Sequence, residues 1–400
     1  MSKDLFKINE LGFITYISPE AITNGVLHIP KHYQGEEIVG IKSFAVPDEV
    51  KDLLTKLSFT GDVVIENQAF KNCFKLESVS FAGKTDIGKH GFANNTSLSM
   101  INFNSKGKET NIGEVAFMGC GIKNLTLQGN TNVESYAFSE TPVKKIHLSG
   151  PDIKLGDKSF SDCKDLLLIQ SEENCSTVLE NNVFSGCVNL EQFDKTETIK
   201  EMGYGAFANC KSFHGDEDHG FIVMGKADDG ALENTSIEAL VYKSAQSIPR
   251  NFIRNNDALR GVFIYGEIPT IKSGAFENCK NNEVVFMPSS VQYIGNNAFY
   301  GNDSIHTVNV LSKLEIAVKQ ISTTSKFFNK QGVIELPQGV ELGSDAIPFE
   351  YQKAKSKSSM IKLNLNKVSF EVKDIAAEQI RDKYASRLSS PQEPVEAFSR

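Results

Sequence analysis

A repeat of about 20 to 26 residues, centred on the pattern A-F-x-x-C-x-x-L, constrains the fold of this chain more than any other feature. The aromatic slot of the pattern is filled by Phe70, Phe92, Phe117, Phe138, Phe160, Phe184, Phe207, Phe276 and Phe299, and in two degenerate copies by Leu232 and Ile253. An aliphatic residue or methionine stands five positions before nearly every slot. Such a period predicts a solenoid, in which each unit buries its apolar residues against its neighbours.

The unit after Ile65 shows how one repeat is built. Its apolar and small residues are predicted to point inward: Ile65, Phe70, Cys73, Leu76, Val79 and Phe81. The closing segment, L-x-x-V-x-F, alternates with period two and predicts a short strand. The A-F step predicts a turn, or one helical turn, on the opposite side. Stacked units therefore place the short strands in one parallel sheet.

The full motif, I-G-x-x-A-F-x-x-C-x-x-L-x-x-V-x-F, resembles the BspA-like branch of leucine-rich repeat proteins. Its best copies run over residues 112–127 and from Ile294 onward, and the resemblance covers roughly residues 20 to 311. It implies a strand-dominated α/β solenoid: a right-handed leucine-rich repeat of about 11–12 units, with a parallel sheet on its concave face. Proteins of this family serve adhesion or protein binding in bacteria and some protists, and many are secreted or surface-attached.

The loss of the period at both ends predicts the domain organisation. Residues 1–40 form an N-terminal cap and the first repeat entry, residues 41–311 the solenoid, and residues 312–350 a C-terminal cap. A polar linker follows at 351–371, then an amphipathic helix at 372–388 and a disordered tail at 389–400. The helix is predicted from one apolar face, formed by Val372, Ile375, Ala376, Ile380, Tyr384 and Leu388.

Charge and hydropathy exclude several classes of partner. The net charge of −8 argues against a nucleic-acid groove, because phosphate binding needs clustered Lys and Arg. The sequence contains no run of about 18 apolar residues, so it predicts no membrane span. The first residues, MSKDLFKINELGF, are too polar for a secretory signal peptide. We therefore expect a cytoplasmic protein, or one exported without a cleavable signal peptide.

Six of the seven cysteines lie three residues after the aromatic slot: Cys73, Cys120, Cys163, Cys187, Cys210 and Cys279. Asn95, Asn256 and Asn302 fill the same place in other units, as do Thr141 and Thr235. This exchange of small polar residues predicts an inward structural ladder of reduced thiols that satisfies backbone groups of the turn. A disulfide or metal site is the alternative, but the paired spacing of a zinc site is missing.

The sequence contains no G-x-S-x-G motif, no phosphate-binding P-loop, no dinucleotide-binding fingerprint and no HExxH motif. It therefore predicts no enzyme and no cofactor. One loop, residues 213–220, contains weak candidates for metal ligands: His214, Asp216, Asp218 and His219. A solvated acidic loop is the alternative, because the spacing matches no known metal-binding loop.

The outward residues of the predicted sheet change character along the chain. Early units present small polar residues and, later, His147 and Gln170, whereas the units near the C-terminal end present Val241, Phe263, Tyr265, Val284 and Phe286. A contiguous apolar surface of this kind is typical of a protein-binding site. Two alternatives stay open: another part of the chain covers the surface, or a register shift of one residue turns these side chains inward.

Together these features predict a non-catalytic protein-binding scaffold that uses the concave face of the solenoid. A bacterial effector acting in a host cell is one setting. The first alternative is a surface or secreted adhesin for host matrix or cell-surface proteins, and the second is a metal-dependent enzyme at the His214–His219 loop. The sequence does not indicate the oligomeric state.

Overall fold

Short strands dominate the molecule. The computed structural model describes residues 4–104, 107–216, 220–265, 267–288, 290–291 and 293–304, and the backbones of three further strands at 307–311, 319–322 and 341–342. In this part the chain forms 29 strands but only one α-helix, α1 (Asp48–Leu53), and two 3-10 helices, Pro19–Ala21 and Thr196–Thr198.

The strands follow one another in chain order. The first are β1 (Phe6–Ile8), β2 (Phe13–Ile17), β3 (Ile22–Thr23), β4 (Val26–Ile29), β5 (His32–Tyr33), β6 (Glu36–Glu37), β7 (Gly40–Ile41), β8 (Lys56–Phe59), β9 (Val63–Ile65), β10 (Ser78–Phe81), β11 (Thr85–Ile87), β12 (Met100–Phe103) and β13 (Glu109–Ile112). The middle ones are β14 (Asn124–Val133), β15 (Lys145–Leu155), β16 (Leu168–Ser171), β17 (Thr177–Leu179), β18 (Gln192–Phe193), β19 (Ile199–Met202), β20 (Phe221–Val223) and β21 (Lys226–Ala227). The last are β22 (Ala239–Tyr242), β23 (Gly261–Ile264), β24 (Thr270–Ile271), β25 (Val284–Pro288), β26 (Tyr293–Ile294), β27 (Thr307–Leu311), β28 (Lys319–Ser322) and β29 (Glu341–Leu342).

These strands form a parallel-sheet solenoid of about 11 turns, which confirms the predicted solenoid and its parallel sheet. The L-x-x-V-x-F segments pair in register, so that Leu57, Val79 and Ile101 lie side by side in β8, β10 and β12. We call the strands of these segments together the second sheet, in which hydrogen bonds join three groups: β4, β8, β10 and β12; the first halves of β14 and β15 with β16 and β18; and β20, β22, β23, β25 and β27. Antiparallel strands adjoin it at both ends, β3 beside β4 and β28 beside β27.

A further sheet, here called the first sheet, precedes the aromatic slot in nearly every turn; before Ile253 its place is taken by an isolated bridge from Ile248 to Ile271. Its strands contain the aliphatic residue five positions before the slot, and Ile65, Ile87 and Ile112 pair in register in β9, β11 and β13. It runs from β1 and β2 through β7 to β21, and continues in β24, β26 and β29. The sequence analysis anticipated one sheet. The difference arises because the segment before the slot also alternates, with Val63 and Ile65 buried on either side of a less buried Val64.

The units at Phe117 and Phe138 lack one residue, and their strands pass from the second sheet to the first without a break. The resulting β14 and β15 are the longest strands described, with 10 and 11 residues. Gly150 packs on Gly129 where the two strands bend: a Cβ atom on Gly150 would lie 2.1 Å from the Gly129 carbonyl oxygen. Only glycine allows this approach.

The aromatic slot lies in a turn between the two sheets, and this turn contains no helix. The slot amide donates to the next unit, as from Phe70 N–H to the Gly91 carbonyl (2.9 Å) and from Phe138 N–H to the Ser159 carbonyl (2.8 Å). Two residues of each turn, four positions apart, have left-handed backbone angles. Asn and Gly fill many of these places because they tolerate that conformation best.

Stacked phenylalanine rings run through the core between the sheets. From Phe70 to Phe207, the centroids of successive slot rings lie 5.0 to 5.7 Å apart. Every one of these rings is fully buried. Since burying a phenylalanine side chain stabilises a fold by roughly 1.5–3 kcal/mol, the stack is a principal source of stability.

Most of the predicted C-terminal elements lie outside the described residues. Of the C-terminal cap at 312–350, the structure describes only the backbones of β28 and β29. The linker at 351–371, the helix at 372–388 and the tail at 389–400 lie wholly outside.

Candidate functional site

The outer face of the second sheet, which points away from the core, carries the residues predicted to bind a partner. Its N-terminal part is polar. Ser58, Ser80 and Asn102 lie side by side in register, and His28 precedes them with its Nδ1 atom 2.9 Å from Ser58 Oγ. These side chains are exposed or half-buried. Solvent therefore reaches this part of the face.

His147 and Gln170 continue the polar part. Thr126, His147 and Gln170 pair in register in β14, β15 and β16. The Nε2 atom of His147 lies 3.5 Å from Glu172 Oε1, so protonation of the imidazole would create an ion pair on the outer face. Both side chains are partly exposed, which limits the strength of this contact.

The C-terminal part of the same face is apolar. Ile222, Val241, Phe263 and Phe286 lie in register on β20, β22, β23 and β25, and we call these four residues the apolar row. They form a cluster separate from the main core. The predicted register is therefore the observed one for Val241, Phe263 and Phe286. The sequence analysis did not include Ile222, since the loop before it obscured the repeat.

The apolar row differs from the expected open surface in one respect: it is buried. Phe263 is 1% exposed and Phe286 6%, whereas Tyr265 on the rim is 45% exposed. The backbone of Val284 pairs with Gly261 and Thr307, which places the residue on the same face. All four residues of β22 and of β23 are buried, although early strands of this sheet alternate between buried and open positions. The row is thus apolar, aligned and shielded.

An irregular segment separates the polar and apolar parts. After β18, the 3-10 helix Thr196–Thr198 interrupts the ladder, and the Ile222 N–H donates to the Thr196 hydroxyl oxygen (3.0 Å) in place of a strand carbonyl. Gly215 and Gly220, on either side of the loop at 216–219, both have left-handed angles, and the Asp216 N–H donates to the Gly220 carbonyl (2.7 Å). This loop lengthens the unit and hides its period in the sequence.

Of the weak metal candidates, only His214 and Asp216 lie among the described residues. His214 Nδ1 lies 3.3 Å from the Ser212 carbonyl oxygen, and Asp216 Oδ2 accepts a hydrogen bond from the Lys195 N–H (3.4 Å). Asp218 and His219 lie outside the described residues. In the described part of the chain, no three His, Cys, Asp or Glu side chains are grouped so as to hold a metal ion.

The cysteines after the aromatic slot are buried free thiols that contact the preceding turn. The thiols of Cys120, Cys163, Cys187, Cys210 and Cys279 donate to the slot carbonyl of the unit before, over 3.0 to 3.3 Å. Asn95 and Asn302 donate to the same kind of carbonyl through Nδ2. Burial raises the pKa of Cys73, Cys120 and Cys279 to about 12. These three thiols are therefore poor nucleophiles.

One family model matches the chain, and solved leucine-rich repeat proteins are similar to it. The BspA type leucine rich repeat region matches in six copies, over residues 49–130, 85–214 and 226–331. A leucine-rich repeat protein of Bacteroides ovatus is 18% identical over 77% of this chain and 94% of its own, with a TM-score of 0.38. One from Eubacterium ventriosum is 17% identical over 81% of this chain and 90% of its own, with a TM-score of 0.39. No curated protein matches the chain significantly.

Among the described residues, no helix has the length and apolar character needed to span a membrane. The matched residues cover more than half of the sequence, and their motif is the one whose turns and two sheets are described above. The chain belongs to the BspA type leucine-rich repeat family.

Proposed function

We propose that the chain is a non-catalytic scaffold that binds a protein through the outer face of its second sheet, centred on Phe263, Phe286 and Tyr265. One observation carries the proposal. At a single register position, the residue that points away from the core changes from Ser80 and Asn102 in early units to Val241 and Phe263 in late ones. A solenoid needs no large apolar side chain there, because its core lies on the other side of the sheet.

The arrangement suits binding because it is preorganised. Parallel ladders hold the backbones of β22, β23 and β25, so the row residues repeat at the strand spacing of about 4.8 Å. The Phe263 and Phe286 rings stack, which restricts both side chains before any partner arrives. Little conformational entropy then remains to be lost on association. Tyr265, at the rim, is 45% exposed and adds an aromatic side chain with a polar end.

The test is affinity capture of partners with the native chain and with Phe263→Thr in the full chain. A row phenylalanine at the centre of an interface contributes about 2 kcal/mol or more, so the variant should lose affinity by roughly 30-fold or more. Met100→Thr is the matched control, since Met100 is an exposed apolar residue (61%) on the polar part of the same face. Circular dichroism verifies the fold of both variants. Equal capture by all three chains would refute the proposal.

The same binding mode would serve a bacterial effector in a host cell and a surface adhesin. Parallel capture from host cytosolic extract and from solubilised host matrix and cell-surface proteins separates the two settings. A partner found in only one of these sources, and lost with Phe263→Thr, assigns the setting.

A further inference from the structure

The burial of the apolar row requires a cover from outside the sheet. Neighbours in register do not supply it: His147 lies between two of them, Thr126 and Gln170, yet its side chain stays 38% exposed. Among the described side chains, the apolar cluster on this face consists of Ile222, Val241, Phe263 and Phe286 alone. Flanking side chains shield the sides of a ring but leave its outer edge open.

We propose that residues 372–388 of the same chain form an amphipathic helix that lies on the apolar row in the free protein. If the row binds a partner as proposed above, that partner must displace this segment, and this consequence rests on the proposed function. The partner is then a protein that presents an amphipathic helix of the same kind, because it competes for the same row.

The dimensions fit this occupant. The row crosses four neighbouring strands, about 14 Å at a spacing of about 4.8 Å. A helix of 17 residues is about 25 Å long and covers the row together with the adjoining strands. Val372, Ala376, Ile380, Tyr384 and Leu388 recur at every fourth position, which gives a continuous apolar stripe along the helix.

The position of the last described strands favours this segment over the one before it. Residues 323–340 connect β28, beside the second sheet, to β29 in the first sheet, so both their ends are held at the end of the stack. By contrast, 58 residues of the sequence follow Leu342, and β29 is the last described strand before them. The 29 residues between Leu342 and Val372 are enough to bridge a distance of about 30 Å and so to return to the row.

A cysteine placed in the row measures whether it is covered. The native thiols are all buried, so their background reaction with a maleimide is slow in the full-length Val241→Cys chain. We expect Val241→Cys itself to react slowly, and about tenfold or more faster when Ile380→Asp is added to disrupt the apolar stripe. Two controls match the design: Glu378→Lys on the polar side of the helix, opposite Ile380, should leave the rate unchanged, and Ser80→Cys on the open part of the face should react quickly in every background.

Three results would overturn the inference. Equal labelling of Val241→Cys with and without Ile380→Asp would show that another occupant covers the row. Protection that disappears on dilution would assign the cover to a second copy of the chain. Failure of Val241→Cys/Tyr384→Cys to form an intramolecular disulfide under mild oxidation would exclude the proposed contact even if Ile380→Asp misfolds. Because labelling needs no partner, a failed capture experiment and a failed labelling experiment remain distinguishable.

Discussion

The ring of Phe263 stacks on the ring of Phe286, with centroids 5.3 Å apart and planes 15° from parallel. Their chain neighbours Val262 and Val285 are paired in the same two strands and point into the main core. The sheet is therefore apolar on both faces at this point, whereas its N-terminal strands are apolar on one. This asymmetry is the reason to place a binding site at one end of an otherwise repetitive molecule.

The phenylalanine stack should dominate stability. Phe138 is fully buried, with its ring 5.1 Å from Phe117 and 5.0 Å from Phe160. We expect Phe138→Ala to lower the free energy of unfolding by about 3–5 kcal/mol, because the stack cannot close the cavity. Urea unfolding measures the change. Phe74→Ala, at a phenylalanine 57% exposed, should cost less than about 0.5 kcal/mol, and equal losses would contradict the assigned core.

Val115 is a β-branched residue at a left-handed position, with φ of 61°. Asn182, Asn251 and Asn297 stand at the equivalent place in other turns, with φ between 51° and 56°. Val115→Asn should therefore raise the free energy of unfolding by about 1 kcal/mol, through relief of backbone strain. The reciprocal change, Asn182→Val, should lower it by a similar amount. Thermal unfolding of the two variants checks the pair, and a loss of stability with Val115→Asn would refute the strain.

Ser159 occupies the position just before the aromatic slot, which Ala69, Ala116 and Ala137 fill in other units. Its buried hydroxyl has no hydrogen-bond partner among the described residues. Ser159→Ala should raise the unfolding free energy by about 1 kcal/mol, since a desolvated polar group is removed. Ser139 is the matched contrast, because its hydroxyl donates to the Ser161 carbonyl (3.1 Å). Ser139→Ala should reduce stability by about 1 kcal/mol. Urea midpoints that move in the same direction would count against this account.

The buried thiols make stability depend on alkaline pH. Burial raises the pKa of Cys73, Cys120 and Cys279 from 9.0 to about 12, so the unfolded chain releases these protons first. Their contribution is complete below pH 9 and falls as the pH rises from 9 towards 12. At pH 10 each of these thiols should lower the free energy of unfolding by about 1.4 kcal/mol relative to neutral pH.

Urea unfolding at pH 7.5 and pH 10 measures this loss. Cys120→Asn is the control, because Asn95 and Asn302 contact the equivalent carbonyl without titrating. The variant should lose about 1.4 kcal/mol less than the native chain between the two pH values. An identical loss would show that the Cys120 thiol is not the titrating group.

The repeat predicted the stacking of units, the slot residues and the parallel strands, because each depends on interactions that recur in every unit. It did not predict the first sheet, since three-residue strands such as Val63–Ile65 are too short to show a clear alternation. The left-handed turn residues are visible as scattered Asn and Gly, but Val115 and Tyr136 adopt the same angles against their preference. There the ladder between turns overrides local propensity.

The apolar row was predicted from alternation alone, and the observed pairing of Val241, Phe263 and Phe286 follows the expected register. Its burial could not be predicted, because burial depends on contacts outside the repeat. Ile222 was missed for a related reason. The loop at Asp216–Gly220 lengthens this unit, so Ile222 does not fall at the position that the repeat spacing predicts. The signal that would have found it is the strand-like run Phe221–Val223, with one apolar residue between two core positions.

Hydroxyl-radical footprinting of the chain, alone and with a captured partner, tests the binding face most directly, because it reads the exposure of individual side chains. Without partner, Tyr265 should react while Phe263 and Phe286 stay protected. With partner, Tyr265 should become protected, while Phe74 and Tyr300, both exposed elsewhere on the solenoid, should react as before. Unchanged oxidation of Tyr265, together with new protection at Phe74 or Tyr300, would contradict a binding site on the outer face of the second sheet.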